Sequence, residues 1–181
     1  ITDKEVTPDR RREGQSGLVL RVGGVSPTND SLGAGFGVLF DVGYWYEGRD
    51  FSIEPHFGFR TNARDEDDSY KLLNFDVAAN YILARGDFAP YIGLGAGMRY
   101  LSETRESAVS TGSNFMLASN DKAEDGGWGP GAYGRLGIMM FRTYTLRTAF
   151  EVQYDATFID LHDDGKDEII QTVNFGVSLM F

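Results

Sequence analysis

The chain has 181 residues, the length of one domain, and no cysteine, so disulfides, thiolate metal sites and cysteine nucleophiles are out. Its 27 acidic residues against 17 Lys and Arg give a net charge of -10, which argues against nucleic acid as a partner, since phosphate binding needs clustered cations. No apolar run approaches the roughly 18–20 residues of a membrane-spanning helix, but a barrel strand alternates lipid-facing and inward residues and cancels its own hydropathy average, so periodicity decides.

Residues 1–15 are polar, include Arg10, Arg11 and Arg12, and contain no apolar core of a secretory signal. They read as a charged extension, with any export signal already removed. The first alternating segment sets Leu18, Leu20 and Val22 against Arg21 and Gly23. From Gly33 to Glu47, Ala34, Phe36, Val38, Phe40, Val42, Tyr44 and Tyr46 alternate with Gly35, Gly37, Leu39, Asp41, Gly43 and Trp45. After a short turn, Phe51, Ile53, Pro55, Phe57 and Phe59 oppose Ser52, Glu54, His56, Gly58 and Arg60. Leu73, Phe75, Val77, Ala79 and Tyr81 then oppose Asn74, Asp76, Ala78 and Asn80, and Ile92 to Tyr100 opposes Tyr91 to Arg99. Three more segments repeat the split: Leu136 and Ile138 against Tyr133 and Arg135; Phe150, Val152 and Tyr154 against Arg147, Glu151, Gln153 and Asp155; and Val173 to Phe181 against Thr172 to Ser178. About eight segments make the smallest closed membrane barrel, so the predicted fold is all-β, an antiparallel up-and-down transmembrane barrel over residues 16–181.

Connection lengths alternate as well. Three are short (Glu47 to Asp50, Ala84 to Asp87, Phe141 to Tyr144), whereas those near 26–32, 61–68, 102–127 and 159–167 are longer and polar or acidic. Short periplasmic turns and long external loops put both termini, including the 1–15 tail, in the periplasm. Tyr44, Trp45, Tyr46, Phe51, Tyr81, Phe88, Phe141, Tyr144 and Phe181 cluster beside the short turns and read as an interfacial aromatic girdle. A soluble lipocalin-type barrel also alternates, but with its apolar face inward; here the charged face also carries the glycines that relieve crowding in a narrow barrel.

The ending Val173, Asn174, Phe175, Gly176, Val177, Ser178, Leu179, Met180, Phe181 resembles the C-terminal strand of bacterial outer-membrane proteins, and Pro90 to Gly97 looks like a strand of the OmpA-like small barrels. The resemblance implies that Phe175, Val177, Leu179 and Phe181 are read by the barrel-assembly machinery, and that outer-membrane lipid and lipopolysaccharide surround the protein. Unlike OmpA, no periplasmic peptidoglycan-binding domain is expected. Fold resemblance carries no activity with it.

The predicted inward face holds Arg21, Arg60, Arg99, Arg135 and Arg147 beside Asp41, Glu54, Asp76, Glu151 and Asp155, with His56 added. Buried charges persist when paired, so a salt-bridge network filling the lumen is expected; a narrow channel for ions or small solutes is the alternative. Ser52, Glu54 and His56 share a face and superficially resemble a hydrolase triad, and small outer-membrane barrels include lipid-modifying enzymes, but His56 is predicted to point away from lipid. No catalytic residue, metal or cofactor is expected. The acidic stretches Arg64 to Asp68 and Asp160 to Glu168, which includes His162, lack the spacing of a calcium loop and read as solvated loops. Within 102–127, Phe115, Met116 and Leu117 form an apolar patch that either docks a protein partner or packs over the barrel rim. The expected function is non-enzymatic: anchoring a protein partner through the external loops or the 1–15 N-terminal tail, with the lumen plugged.

Overall fold

A computed structural model describes residues 15–28, 35–65, 68–105, 123–159 and 168–181, with side chains described outside 62–69, 103–105, 123–125 and 168. Eight strands follow in order: β1 (Gln15–Pro27), β2 (Gly37–Glu47), β3 (Phe51–Asp65), β4 (Asp68–Ile82), β5 (Ala89–Arg105), β6 (Ala123–Met140), β7 (Arg147–Ile159) and β8 (Glu168–Met180). Each pairs antiparallel with its successor, and β8 pairs with β1, so the sheet closes into a barrel. Closure removes sheet edges along the shared wall and leaves two faces, one inside and one outside. The seam is completed beyond β8, where the Phe181 amide donates to the Leu18 carbonyl at 3.0 Å and the Leu18 amide to the Phe181 carbonyl at 2.8 Å.

Period-two alternation decides which side chain goes where. Val22, Phe40, Phe57, Phe75, Ile92, Leu136, Phe150, Phe175 and their like stand exposed on the outer wall, while Arg21, Asp41, Glu54, Asp76, Arg99, Arg135 and Glu151 are buried inside. An apolar wall that continues around a whole barrel needs hydrocarbon rather than water as its solvent. Tyr44, Tyr46, Phe51, Tyr81, Phe88, Phe141, Tyr144 and Phe181 are exposed around the end with the short connections, here called the turn end. Trp45 departs from the expected girdle: it is 5% exposed and faces the lumen, because its odd position falls on the inner set of β2. At the opposite, loop end, Tyr100 and Trp128 sit side by side on the wall with ring centroids 5.2 Å apart.

The strands reach further toward the loop end than the connections expected at 26–32, 61–68 and 102–127 allow. β1 runs to Pro27, β3 and β4 leave only 66–67 between them, and β5 and β6 extend to Arg105 and from Ala123. Past the hydrocarbon both faces are wet, so a strand there has no reason to alternate and reads as loop. The extension is lopsided: β5 and β6 pair out to Arg105↔Ala123, whereas β6 and β7 begin pairing at Gly131↔Thr157, and β2 meets β3 only from Val38↔Thr61. β3 to β6 therefore stand taller than the rest of the wall. Residues 1–14, Phe115, Met116, Leu117 and most of 159–167 lie outside the described residues.

An eight-stranded barrel leaves room inside for side chains and little else. Glycine makes that room where rings are large: a Cβ at Gly95 would strike the Tyr133 ring, and one at Gly137 the Tyr91 ring.

Candidate functional site: the charged lumen

The inward side chains stack in tiers along the axis. At the turn end Glu47 lies between two arginines. Arg142 donates from Nε to Glu47 at 2.8 Å, and Arg147 bonds both Glu47 and Gln15 while its guanidinium lies 4.4 Å from the Trp45 ring centroid. Around them Val19, Trp45, Ile82, Ala89, Tyr91, Met139, Ala149 and Met180 form a buried apolar cluster.

The next tier is a crossed quartet. Arg21 reaches Glu54 at 2.7 Å, Glu151 at 2.7 Å and Asp41 at 2.9 Å, and Arg135 reaches Glu54 at 2.7 Å and Glu151 at 3.3 Å. Each glutamate thus meets two arginines from other strands. Ser178 bonds Glu151, and Asn80 accepts from Arg135 at 2.7 Å while donating to Ser52 at 3.0 Å.

Above it Asp155 is the hub. It takes Arg60 at 3.1 Å, Arg99 at 2.6 Å and the amides of Gln153 and Asn174, while Arg99 also donates to Thr157 at 2.6 Å and lies 3.6 Å from Asp76. Tyr70, Leu72, Leu101, Ile159 and Ile170 then form a second apolar cluster toward the loop end. Two voids in the ionic region, one beside Arg21, Asp41 and Arg60 and one beside Trp45, Glu54 and Arg135, measure about 10 Å³ each, room for about one water molecule.

All eleven residues assigned from sequence to the inner charge set are buried: Arg21, Asp41, Glu54, His56, Arg60, Asp76, Arg99, Arg135, Arg147, Glu151 and Asp155. Glu47 and Arg142 join them and were missed, since Glu47 borders a short turn and Arg142 lies within one, where solvent exposure is the default reading. With that pair, six buried arginines face six buried carboxylates among the described residues. A balanced set matters because removing an ion from water costs several kcal/mol, which only close, hydrogen-bonded partners offset.

The Ser52–Glu54–His56 row does not assemble a triad. Ser52 and His56 are four residues apart on one strand, about 13 Å, and the Ser52 hydroxyl is taken by Asn80. His56 stands 3.7 Å from Glu54 and 3.8 Å from Asp76, ring nitrogens to carboxylate oxygens, longer than hydrogen bonds, and its ring centroid is 6.0 Å from that of Tyr133. Among the described residues no group of three His, Asp or Glu gathers as a metal site would.

Among solved structures, the chain is similar to Neisserial surface protein A (14% identity, TM-score 0.63, covering 92% of this chain and 99% of that one). It is similar also to Ail of Yersinia pestis (14%, TM-score 0.58, 93% and 99%) and to the N-terminal β-barrel domain of Pseudomonas aeruginosa OprF (15%, TM-score 0.53, 93% and 100%). At such identities the likeness is one of fold. No characterised protein sequence matches the chain. The outer membrane protein beta-barrel domain family matches residues 7–181. That span takes in all eight strands, and the chain belongs to this family of bacterial outer-membrane barrels.

Proposed function

We propose that the protein is a non-conducting, non-enzymatic outer-membrane barrel that works through its loop end, holding a partner outside the cell while both termini stay on the periplasmic side. The observation that carries this reading is the filled lumen, in which paired charges lie between two apolar clusters. A pore that selects ions needs a continuous wet path lined by unpaired charge, whereas each buried carboxylate among the described residues has a guanidinium within 3.6 Å. A plugged lumen turns attention to the outside, where β3 to β6 rise above their neighbours and lead into the connections at 66–67 and 106–122. The Phe115, Met116 and Leu117 patch is the candidate anchor for a protein partner. Ail of Yersinia pestis has been crystallised with the heparin analogue sucrose octasulfate; a net charge of -10 disfavours such a polyanion here and favours a protein or a cation-bearing surface. Phe175, Val177 and Leu179, outward on the closing strand, and Phe181 just beyond it are the residues for the assembly machinery to read, and outer-membrane lipid with lipopolysaccharide forms the surround.

Conductance tests the core of this reading. Purified protein in planar bilayers is expected to give no steady unitary current at either polarity. Large, reproducible steps would replace the plug with a narrow channel.

A further inference from the structure

The β6–β7 connection, residues 141–146, is built unlike the other two short turns. Phe141 is the one described non-glycine residue with a left-handed backbone, φ 58°, a conformation that crowds Cβ against the backbone and persists only where the surroundings enforce it. Arg142 follows immediately and turns in over the barrel mouth, 8% exposed although it sits in a turn. Its guanidinium spans three parts of the rim. Nε donates to Glu47 at the end of β2, Nη2 to the Arg49 carbonyl in the β2–β3 turn at 3.0 Å, and Nη1 to the Ala84 carbonyl in the β4–β5 turn at 3.0 Å. The Arg142 amide reaches the Asp87 carbonyl at 3.3 Å, and Thr143 bonds the Asp87 carboxylate. Outside, Phe141 and Tyr144 meet edge to face at 5.9 Å and stand exposed at the rim.

We propose that this connection is a latch on the turn end of the lumen, with Arg142 as its bolt. The proposal rests on the plugged-lumen reading and adds to it where, and by which residue, the lower lumen can open. Three arguments make the turn a latch rather than a fixed stopper. Glu47 keeps Arg147 as a second cation when Arg142 leaves, so no buried carboxylate is orphaned. The Ala84 and Arg49 carbonyls belong to turns at the rim, where water replaces the lost donor. Withdrawal also frees Phe141 from its left-handed backbone. Arg21 has no such freedom, because it is the ion-pair partner of Asp41 and is shared by both glutamates of the crossed quartet. Resting closure is held by the apolar cluster beneath the bolt, in which Trp45, Met139 and Met180 would meet water if the turn swung out.

The absence of native cysteine makes the test direct. Ser52→Cys places a thiol beside the lower void, and Leu72→Cys places one in the cluster at the opposite end. Each is combined with Arg142→Ala, and reaction with a charged methanethiosulfonate is timed in detergent micelles on protein shown to be folded by its gel mobility before boiling. The expected result is slow labelling of both thiols with Arg142 present, and at least a tenfold faster reaction at position 52, with no change at position 72, in Arg142→Ala. Arg142→Lys, which keeps a cation for Glu47 but cannot span both carbonyls, should fall between and serves in place of Arg142→Ala if that variant does not fold. Unchanged labelling at position 52, or equal acceleration at both positions, overturns the latch. Fast labelling at position 52 with Arg142 intact instead overturns the plugged lumen on which it rests.

Discussion

Arg21 and Arg85 are both paired with carboxylates, yet their positions give the two pairs different consequences. Arg21 and its partners are about 3% exposed, and it bridges β1 to Asp41, Glu54 and Glu151. Arg85 meets Asp50 with side chains 62% and 36% exposed, where water screens the attraction. Losing one member of a buried set leaves charge stranded in a low dielectric, at a cost of about 3–5 kcal/mol, whereas an exposed pair is worth at most about 1 kcal/mol. Arg21→Met should therefore lower the free energy of unfolding from lipid vesicles by about 3–5 kcal/mol, and Arg85→Met by less than about 1 kcal/mol. Equal, small effects from denaturant titrations would mean that the lumen is wet. Sequence alone distinguishes these two arginines by one observation, that Arg21 sits inside an alternating segment and Arg85 beside a turn glycine, Gly86.

At the scale of the strand, what the sequence makes legible is the face and what it hides is the register. Alternation along β3 sends Glu54, His56 and Arg60 one way and Phe57 and Phe59 the other. Nothing along β3 says that Glu54 will meet Arg21 and Arg135, 33 and 81 residues away, because that depends on the stagger of every strand between them. Trp45 shows the same division of information from the other side. Its neighbours Tyr44 and Tyr46 are outer girdle residues, and its aromatic character suggested the same, but its parity decided in favour of the lumen. The upper parts of β3 to β6 were illegible for a different reason, since the alternating signal stops where hydrocarbon stops. Depth in the bilayer is testable on a single strand. Phe175 lies midway along β8 and Ile169 near its loop end, both exposed on the outer wall. An arginine on the lipid face costs about 2–4 kcal/mol at the midplane and about 0–1 kcal/mol near the interface. Phe175→Arg should destabilise by the larger amount and Ile169→Arg by the smaller, and a reversed order in vesicle unfolding would shift the inferred membrane position of the barrel.

For the whole molecule, closure and charge balance make one combined expectation. Every strand is paired on both sides along the shared wall, so detergent finds no sheet edge from which to unravel the barrel, and the folded form should persist in sodium dodecyl sulfate until heated. The temperature at which the gel band shifts then reports the stability of wall and lumen together. Six arginines and six carboxylates lie inside that wall among the described residues. Were the lumen a water-filled channel, those charges would be screened by mobile ions, and the shift temperature would respond to salt on the scale set by a Debye length of about 10 Å at 0.1 M and about 3 Å at 1 M. An interior filled by paired side chains admits no such ions, and exposed pairs such as Arg85–Asp50 contribute too little to register. The expected outcome is a shift temperature that stays constant between about 0.1 M and 1 M sodium chloride and falls substantially in Arg21→Met. A marked salt dependence in the unaltered protein would place mobile ions inside the barrel and return the narrow-channel reading to first place.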